Sequence, residues 1–227
     1  MRQFIAEHRL LLISGIMIVG FFSFALSQGQ SGTESSDSST SSFRTANSES
    51  PMFAGSPDAP VSIIQYSDFL CPSCSIFSTQ VMPAINKDYI STEKANIEFR
   101  PMAFIADGSL QAGMGGYCAI DQGKFWEYHD GIYEYVANEV FTNGKDPKSD
   151  VILTASLVTQ LATKSGLDGA SFGDCLTSRK YFDRITESNN EANKNGVTGT
   201  PYIMVNGQVY QGSMSLTAFE ALLKTKL

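Results

Sequence analysis

Cysteine, histidine and tryptophan are scarce in this sequence, and their scarcity excludes several classes of protein. The 227 residues include four Cys, two His and one Trp. So little cysteine rules out a small protein held together by many disulfides. His8 lies in the N-terminal flank, which leaves His129 as the one imidazole of the folded body. Histidine-rich metal sites are therefore excluded, and a Cys–His hydrolase would have a single candidate base.

Charge and hydropathy narrow the choice further. The chain has 16 Lys and Arg against 23 Asp and Glu, a net charge of −7, whereas proteins that bind nucleic acid present a basic face. Hydrophobic residues make up 42% of the chain, enough to bury a core, which argues against global disorder. The length suits one domain with room for an insertion.

The apolar run at residues 10–26 is uncharged and lies close to the N-terminus. Basic residues precede it and none follows until Arg44, a pattern that places the N-terminus in the cytoplasm and the rest outside. As a helix the run would be roughly 25 Å long, slightly short of a ~30 Å membrane core. It exceeds the ~7–15 apolar residues of a cleaved signal, although Ala25 and Ser27 offer a cleavage site. We expect residues 1–27 to be a membrane anchor or signal peptide, and favour a single-pass anchor.

A polar segment separates this run from the folded body. Residues 31–50 contain nine Ser and three Thr and almost nothing apolar, so they bury too little surface to offset their conformational entropy. We expect residues 28–52 to form a flexible linker. An anchor would leave the catalytic domain outside the cell membrane, and a cleaved signal would make it secreted or periplasmic. Both alternatives place the catalytic domain in a compartment where disulfides persist.

Beyond the linker, strand and helix patterns alternate. Runs rich in β-branched and aromatic residues predict strands, Asn206-Gly207 predicts a hairpin turn, and a long stretch of helical spacing lies in the middle of the chain. The predicted order is strands at 61–66 and 97–102 around a helix from Pro72 interrupted at Pro83, a helical block over 109–190, strands at 202–205 and 208–211, and a helix over 216–223.

The sharpest motif is Cys71-Pro72-Ser73-Cys74, which follows the first predicted strand and opens a helix. Proline suits the first turn of a helix, where its missing N–H costs nothing. The thiolate is the attacking species in thiol–disulfide exchange, and unpaired N–H groups at a helix N-terminus lower the pKa of a thiol there. Cys74 lies one turn further on, within reach of a mixed disulfide at Cys71.

Two other interpretations of this pair are weaker. A zinc site needs a second pair of ligands, but Cys118 and Cys175 each stand alone, without a neighbouring Cys or His. A structural disulfide between Cys71 and Cys74 would close a loop too small to constrain the unfolded chain much. Redox chemistry is the better hypothesis, and no metal or cofactor is expected.

The residues from Tyr66 to Cys74, the stretch Gly196-Val-Thr-Gly-Thr-Pro-Tyr202 and the helical block between them resemble the DsbA-type thioredoxin-fold oxidoreductases, especially the membrane-anchored BdbD-like members. The resemblance implies an α/β thioredoxin fold with an inserted all-helical domain. Residues 53–103 and 191–227 would then form the two parts of the thioredoxin domain, with the helical domain at 104–190.

The resemblance also assigns roles at the active site. Cys71 corresponds to the cysteine that substrates attack, and Cys74 to its buried partner. Thr200-Pro201 corresponds to the cis-proline loop that faces them, and an X-Pro bond adopts the cis form at modest cost. A cis bond there would expose the Thr200 backbone to an extended substrate. The residues expected to support the two cysteines are Pro72, Ser73, Thr200 and Pro201.

The implied function is donation of the Cys71–Cys74 disulfide to exported reduced or unfolded proteins by a monomer. A membrane quinone reductase of the DsbB or VKOR type would then reoxidise the enzyme. A disulfide reductase or isomerase on the same fold is the alternative, although isomerases of this kind usually dimerise through an extra N-terminal domain. A chaperone-like binding module is a third possibility, which the intact Cys pair argues against.

Two departures from the family bear on mechanism. Related proteins commonly keep a buried carboxylate six residues before the first cysteine, where this chain has Gln65, which does not titrate. Asp68 is a carboxylate closer to Cys71 in the sequence, but it lies three residues away from the expected position, and its place suits a cap of the turn or helix. Ser73 stands where strongly oxidising relatives often have His, so we expect a hydrogen bond to Cys71 but no charge, and a weaker oxidant.

The remaining candidates receive structural interpretations. In an exported protein Cys118 and Cys175 are expected to pair as a structural disulfide, since the motif already pairs the other two cysteines. His129 and the aromatic residues before it are expected to pack within a helix. The glycines at 113, 115 and 116 suggest close packing and not a phosphate loop, because no strand precedes them.

Overall fold

The computed structural model describes residues 43–150 and 152–227. The predicted anchor or signal peptide at 1–27 and the first part of the predicted linker lie outside these ranges. Within them, no helix combines the length and the apolar character needed to cross a membrane. The described residues belong to one compact unit, Ser39–Leu227.

A five-stranded sheet forms the centre of the fold, in the order β1-β3-β2-β4-β5. β2 and β3 run parallel, and the other neighbouring pairs are antiparallel. The four predicted strands are confirmed, and the two longest extend by two residues beyond their predicted bounds. The sequence did not predict β1, which is three residues long. The strands are β1 (Phe53–Gly55), β2 (Val61–Asp68), β3 (Ala95–Met102), β4 (Tyr202–Val205) and β5 (Gln208–Gln211).

A helical stretch that begins at the Cys motif covers one face of the sheet. It comprises α1 (Pro72–Ile76), a π-helical segment (Phe77–Val81), α2 (Met82–Ile85) and a second π-helical segment (Asn86–Ile90). The predicted interruption at Pro83 is present, because proline has no N–H to continue the α-helical hydrogen bonds.

The C-terminal helix α8 (Leu216–Lys224) packs on the same face. The rings of Phe77 and Phe219 meet edge to face with their centroids 5.2 Å apart. Both are fully buried with Ile63 of β2 and Ile97 of β3. Side chains along a strand alternate between its two faces, and Ile63 and Ile97 lie on the face that the helices cover. Their contact with Phe77 and Phe219 holds the helix that carries the Cys motif against the sheet.

The helical block lies between β3 and β4 in the chain, and its core is continuous with the surroundings of the Cys motif. Phe69, Leu70, Cys71 and Cys74 are buried in the same cluster as side chains from the block. The helices are α3 (Asp107–Ile120), α4 (Phe125–Tyr135) with a π-helical extension (Val136–Phe141), α5 (Ala155–Lys164), α6 (Gly169–Thr177) and α7 (Phe182–Lys194).

Helix α7 continues past residue 190, where we predicted the inserted domain to end. Its Ser188 hydroxyl donates to the Pro101 carbonyl at 2.6 Å, and the Asn189 side chain pairs with both backbone groups of Ala103. The helix therefore covers the end of β3 as well as joining the helical block to the second part of the thioredoxin domain.

The described end of the predicted linker packs against the other face of the sheet and so differs from the flexible chain we expected. Phe43 is buried on Tyr66 and Tyr202. The guanidinium of Arg100 donates to the carbonyls of Phe43 and Thr45. One aromatic residue in an otherwise polar segment thus provides the apolar contact that holds this end in place.

A disulfide joins two helices of the inserted block. The sulfur atoms of Cys118 in α3 and Cys175 in α6 lie 2.07 Å apart. The two cysteines are 57 positions apart in the sequence, and closing a loop of that size would stabilise the folded state by roughly 4 kcal/mol in the chain-entropy model. This disulfide is separate from the Cys71 and Cys74 thiols, which are free.

Two adjacent glycines of α3 should respond oppositely to substitution by alanine. A Cβ at Gly115 would overlap the hydroxyl of the buried Tyr128, whereas one at Gly116 would make ordinary contact with Phe125 at 3.4 Å. We expect Gly115→Ala to lower the free energy of unfolding by about 2 kcal/mol. Gly116→Ala should be neutral or stabilising by up to ~1 kcal/mol. Urea unfolding measures both, and equal effects would contradict this packing.

Candidate active site

The Cys motif begins where β2 ends. The Cys71 N–H donates to the Asp68 carbonyl at 3.0 Å, which closes a tight turn between the strand and α1. Cys71 is the N-cap of α1 and Pro72 follows at the start of the helix. An N-cap side chain lies beside the unpaired N–H groups of the first turn, where a negative charge on the Cys71 sulfur is favoured.

Cys71 is an acidic thiol. Hydrogen bonding from the Cys74 thiol is the main cause that lowers the pKa of Cys71, to about 6, with further hydrogen bonds from the Thr200 side chain and the Cys74 N–H. Partial burial and the nearby Asp68 carboxylate act in the opposite direction. Cys71 is thus mainly a thiolate at neutral pH, which is the reactive form in thiol–disulfide exchange.

Cys74 has the opposite character. Its side chain is completely buried, and burial is the main cause that raises the pKa of Cys74 well above its usual value. The hydrogen bond with Cys71 and the charge of that thiolate raise it further. The two sulfurs of one motif therefore differ in acidity because hydrogen bonds stabilise the charged form of Cys71, whereas burial disfavours the charged form of Cys74.

The loop before β4 faces the Cys motif. The Thr200–Pro201 peptide bond is cis. In the thiol form, Cys71 donates from Sγ to the Thr200 carbonyl oxygen at 3.2 Å. The loop is held in place because Tyr202, the next residue, pairs with Tyr66 of β2. The structure thus brings together Cys71, Cys74, Thr200 and Pro201, which the sequence predicted as parts of one site.

Asp68 has a larger role than the sequence indicated. Its carboxylate is buried and accepts hydrogen bonds from the Leu70 N–H at 2.8 Å and the Ser109 hydroxyl at 2.7 Å. The other oxygen accepts from the N–H groups of Phe104 and Ile105. Asp68 thus caps the turn, as expected, and also connects the Cys motif to the start of α3. Its position at the end of a strand was the one signal in the sequence.

Gln65 occupies the place of the expected carboxylate, and its side chain is buried. Its amide Nε2 donates to the Ser67 hydroxyl at 2.8 Å. Hydrogen bonding with Ser67 lowers the pKa of Cys74 against the effect of burial. Sequence analysis missed Ser67, since a serine within a strand is not a distinctive signal.

Of two expectations about single side chains, the one for Ser73 differs from the structure and the one for His129 agrees with it. Among the described residues, the Ser73 hydroxyl makes no hydrogen bond, so the one we expected it to donate to Cys71 comes instead from Cys74. His129 lies within a helix, as predicted, with its Nδ1 2.8 Å from Asp130, but its buried Nε2 has no partner in the described part of the chain. It packs among aromatic rings, including Tyr133 at 4.9 Å between centroids.

Over residues 43–150 and 152–227, no group of three or more His, Cys, Asp or Glu side chains is arranged to hold an ion.

Comparison with known proteins agrees with the fold and the site. The family model described as thioredoxin matches residues 47–225. The chain belongs to the thioredoxin family. The resemblance to DsbA-type thiol:disulfide oxidoreductases is confirmed, as is the thioredoxin fold with an inserted helical domain. The protein is an oxidoreductase of this type, with an acidic thiol beside a buried one.

Three similar proteins illustrate the relationship. A "probable disulfide bond formation protein D" of Bacillus anthracis is 29% identical over 68% of this chain and 69% of its own length. The oxidised BdbD structure from Bacillus subtilis superposes with a TM-score of 0.67 at 21% identity, covering 77% of this chain and 91% of that one. Wolbachia pipientis alpha-DsbA1 gives 0.68 at 25% identity, covering 82% and 94%.

The acidity of Cys71 predicts the pH dependence of its alkylation. In the reduced protein, the rate of reaction with iodoacetamide should rise with pH and level off with a midpoint at about pH 6. Cys74 should stay unmodified at neutral pH, as mass spectrometry of the product would show. Cys74→Ala should move the midpoint upward, because the main hydrogen bond to the thiolate is lost. A midpoint near pH 9.0, the usual value for a cysteine, would contradict the assignment.

The same shift has a consequence for stability. The pKa of Cys71 in the folded state lies below its usual value of 9.0. Its ionisation therefore stabilises the reduced protein, fully so above that usual value, and the stabilisation is lost as the pH falls through about 6. The oxidised protein has no such contribution.

Proposed function

We propose that this protein is a thiol oxidase that donates the Cys71–Cys74 disulfide to exported proteins as they fold. The observation that carries the proposal is the acidity of Cys71, with its pKa of about 6. A stabilised thiolate favours the reduced form, so the disulfide is more readily given up. We also propose that it is a weaker oxidant than the strongly oxidising members of the family, because Ser73 supplies no positive charge to the Cys71 thiolate.

The reaction consists of two exchange steps. A substrate thiolate attacks Cys71 Sγ, the bond between Cys71 and Cys74 breaks, and its electron pair passes to Cys74, which takes up a proton. A second substrate thiolate then attacks the substrate sulfur of the mixed disulfide, and Cys71 leaves as a thiolate. The substrate loses two electrons and gains a disulfide, while the enzyme becomes a dithiol.

The compartment follows from the N-terminal pattern and the disulfide. We infer that residues 1–27 export the chain, favouring an anchor, and that the body lies outside the membrane. The Cys118–Cys175 disulfide supports an oxidising compartment, and so does the name of the Bacillus anthracis relative. We propose a thioredoxin domain at 53–103 and 191–227 with an insertion at 104–190, with helix α7 crossing the second boundary.

Continued turnover requires an oxidant for the reduced cysteines. We propose a membrane quinone reductase of the DsbB or VKOR type, which accepts two electrons by thiol–disulfide exchange with Cys71. An anchored enzyme would meet such a partner in the same membrane.

Two exposed apolar side chains near the Cys motif suit an unfolded substrate. Ile76 at the end of α1 and Phe104 before α3 have 47% and 52% of their surfaces exposed. The Phe104 N–H and the Leu70 N–H bind the same Asp68 carboxylate, so Phe104 lies close to the motif. A reduced, unfolded protein presents apolar side chains that could cover both residues while its backbone meets the loop at Thr200.

The redox state in the producing cell tests the direction of the reaction. Acid quenching followed by alkylation and mass spectrometry should find Cys71 and Cys74 mostly joined, because an oxidase is kept oxidised. Cys118 and Cys175 serve as an internal control and should be joined throughout. A mostly reduced motif would contradict the oxidase and support a reductase or isomerase. If purified oxidised protein fails to oxidise a reduced unfolded substrate, the binding module is supported.

The proposed substrate surface can be tested separately. Phe104→Ser and Ile76→Ser should each raise KM for a reduced unfolded protein by about fivefold without changing kcat, because they remove apolar contact that is uniform along the reaction. Oxidation of dithiothreitol should be unaffected. Val209→Ser is the matched control, since Val209 is an exposed apolar residue of β5. Equal KM values for all three variants would contradict this surface.

A further inference from the structure

A buried carboxylate lies in the turn that leads into the Cys motif. The Asp68 side chain has no exposed surface, and its two oxygens accept hydrogen bonds from three backbone N–H groups and one hydroxyl. Burial raises the pKa of Asp68, and these four donors favour the ionised form against it. Within the described part of the chain, no ion pair reaches this carboxylate. Its charge is therefore balanced by dipoles and not by a cation.

The turn brings this charge close to the Cys71 sulfur. The hydrogen bond from the Cys71 N–H to the Asp68 carbonyl, at 3.0 Å, closes a four-residue turn, and such a turn brings the Cα atoms of its ends within ~7 Å. The Leu70 N–H donates to the carboxylate at 2.8 Å, which holds the carboxylate over the turn, beside the residue that precedes Cys71. A thiolate at Cys71 and the Asp68 carboxylate therefore repel each other over a short, partly buried distance.

Cys74 and Tyr133 are the other titratable groups at this turn. Tyr133 lies on α4, and its hydroxyl donates to the Asp68 carbonyl at 3.2 Å. Burial is the main cause that raises the pKa of Cys74 and of Tyr133 well above their usual values, so both are neutral at pH 7. His129, one turn before Tyr133, pairs with Asp130 at 2.8 Å, and the cis-proline loop adds no titratable side chain. The charge that a Cys71 thiolate meets in this turn is thus that of Asp68.

We propose that Asp68 is a positioning residue whose buried charge limits the oxidising power of the Cys71–Cys74 pair. Reduction of the disulfide at neutral pH takes up two electrons and one proton, breaks the S–S bond, and leaves Cys71 as a thiolate and Cys74 as a thiol. A negative charge already present in the turn makes this product less favourable, so the disulfide is given up less readily. The inference rests on thiol–disulfide exchange at this pair, and it applies to an oxidase and to a reductase alike.

The charge of Asp68 can be removed while the turn is kept. The amide oxygen of Asp68→Asn can accept from the Leu70 N–H as the carboxylate does, although the amide NH₂ cannot accept from Phe104 or Ile105. Hydrogen bonding from Cys74 is the main cause that lowers the pKa of Cys71, and the Asp68 charge acts against it. A loosened turn would therefore raise the pKa of Cys71, whereas loss of the charge would lower it. The sign of the change separates an electrostatic role from a merely structural one.

Two measurements test the inference on the chemically reduced protein and on its equilibrium with glutathione. The midpoint of the pH dependence of Cys71 alkylation is about pH 6 in the wild type and should fall by about one pH unit in Asp68→Asn. The equilibrium with reduced and oxidised glutathione at pH 7, read for Cys71 and Cys74 by acid quench and mass spectrometry, should shift toward the dithiol by about tenfold. That shift corresponds to a reduction potential higher by about 30 mV.

Two further variants complete the test. Asp68→Ser is a second neutral variant, whose hydroxyl can also accept from the Leu70 N–H, and it should lower the midpoint like Asp68→Asn. It keeps the inference testable if Asp68→Asn does not fold. Asp107→Asn is the matched control, because Asp107 is an exposed carboxylate at the start of α3. Water screens an exposed charge, so this variant should move the midpoint by less than about 0.3 pH unit.

An unchanged or raised midpoint in the neutral variants of Asp68 would overturn the inference, and so would a shift of equal size in Asp107→Asn. If the wild-type disulfide does not exchange with glutathione at all, the proposed exchange itself fails. That is a different result, because the alkylation of the chemically reduced protein still tests the effect of the Asp68 charge on Cys71.

Discussion

The carboxylate of Asp68 is the interaction on which the rest of the site depends. It lies at the end of β2 and binds the turn through Leu70, the chain after β3 through Phe104 and Ile105, and the start of α3 through Ser109. Burial raises the pKa of Asp68, and these hydrogen bonds oppose the effect. A short buried side chain with several backbone partners leaves little freedom in the segments it joins.

The difference between the two cysteines follows from that arrangement. The turn leaves Cys71 as the N-cap of α1 and places Cys74 one turn further into the core. The same short helix thus supplies a stabilised thiolate and a thiol that stays protonated. Neither sulfur needs an imidazole, which agrees with a body that has a single histidine, packed away among aromatic rings.

Local patterns in the sequence predicted the parts of the fold that depend on neighbouring residues. These include β2 and β3, the hairpin of β4 and β5, the start of α1 at Pro72 and the interruption at Pro83. The order of two motifs and their resemblance to a family then supplied the cis Thr200–Pro201 bond. None of these required knowledge of distant contacts.

What the sequence did not show depends on contacts between distant segments. Strand β1 is three residues long and is defined by its pairing with β3. Three of the four partners of the Asp68 carboxylate lie 36 to 41 residues further along the chain, and Phe43 is buried by residues of the sheet. The side chains of these residues form no distinctive pattern in the sequence, because their roles depend on contacts with distant segments.

Helix α3 is held at both ends by contacts of this kind. Its start is held by Asp68 at Ser109 and its other end by the Cys118–Cys175 disulfide, about 14 Å further along at ~1.5 Å per residue.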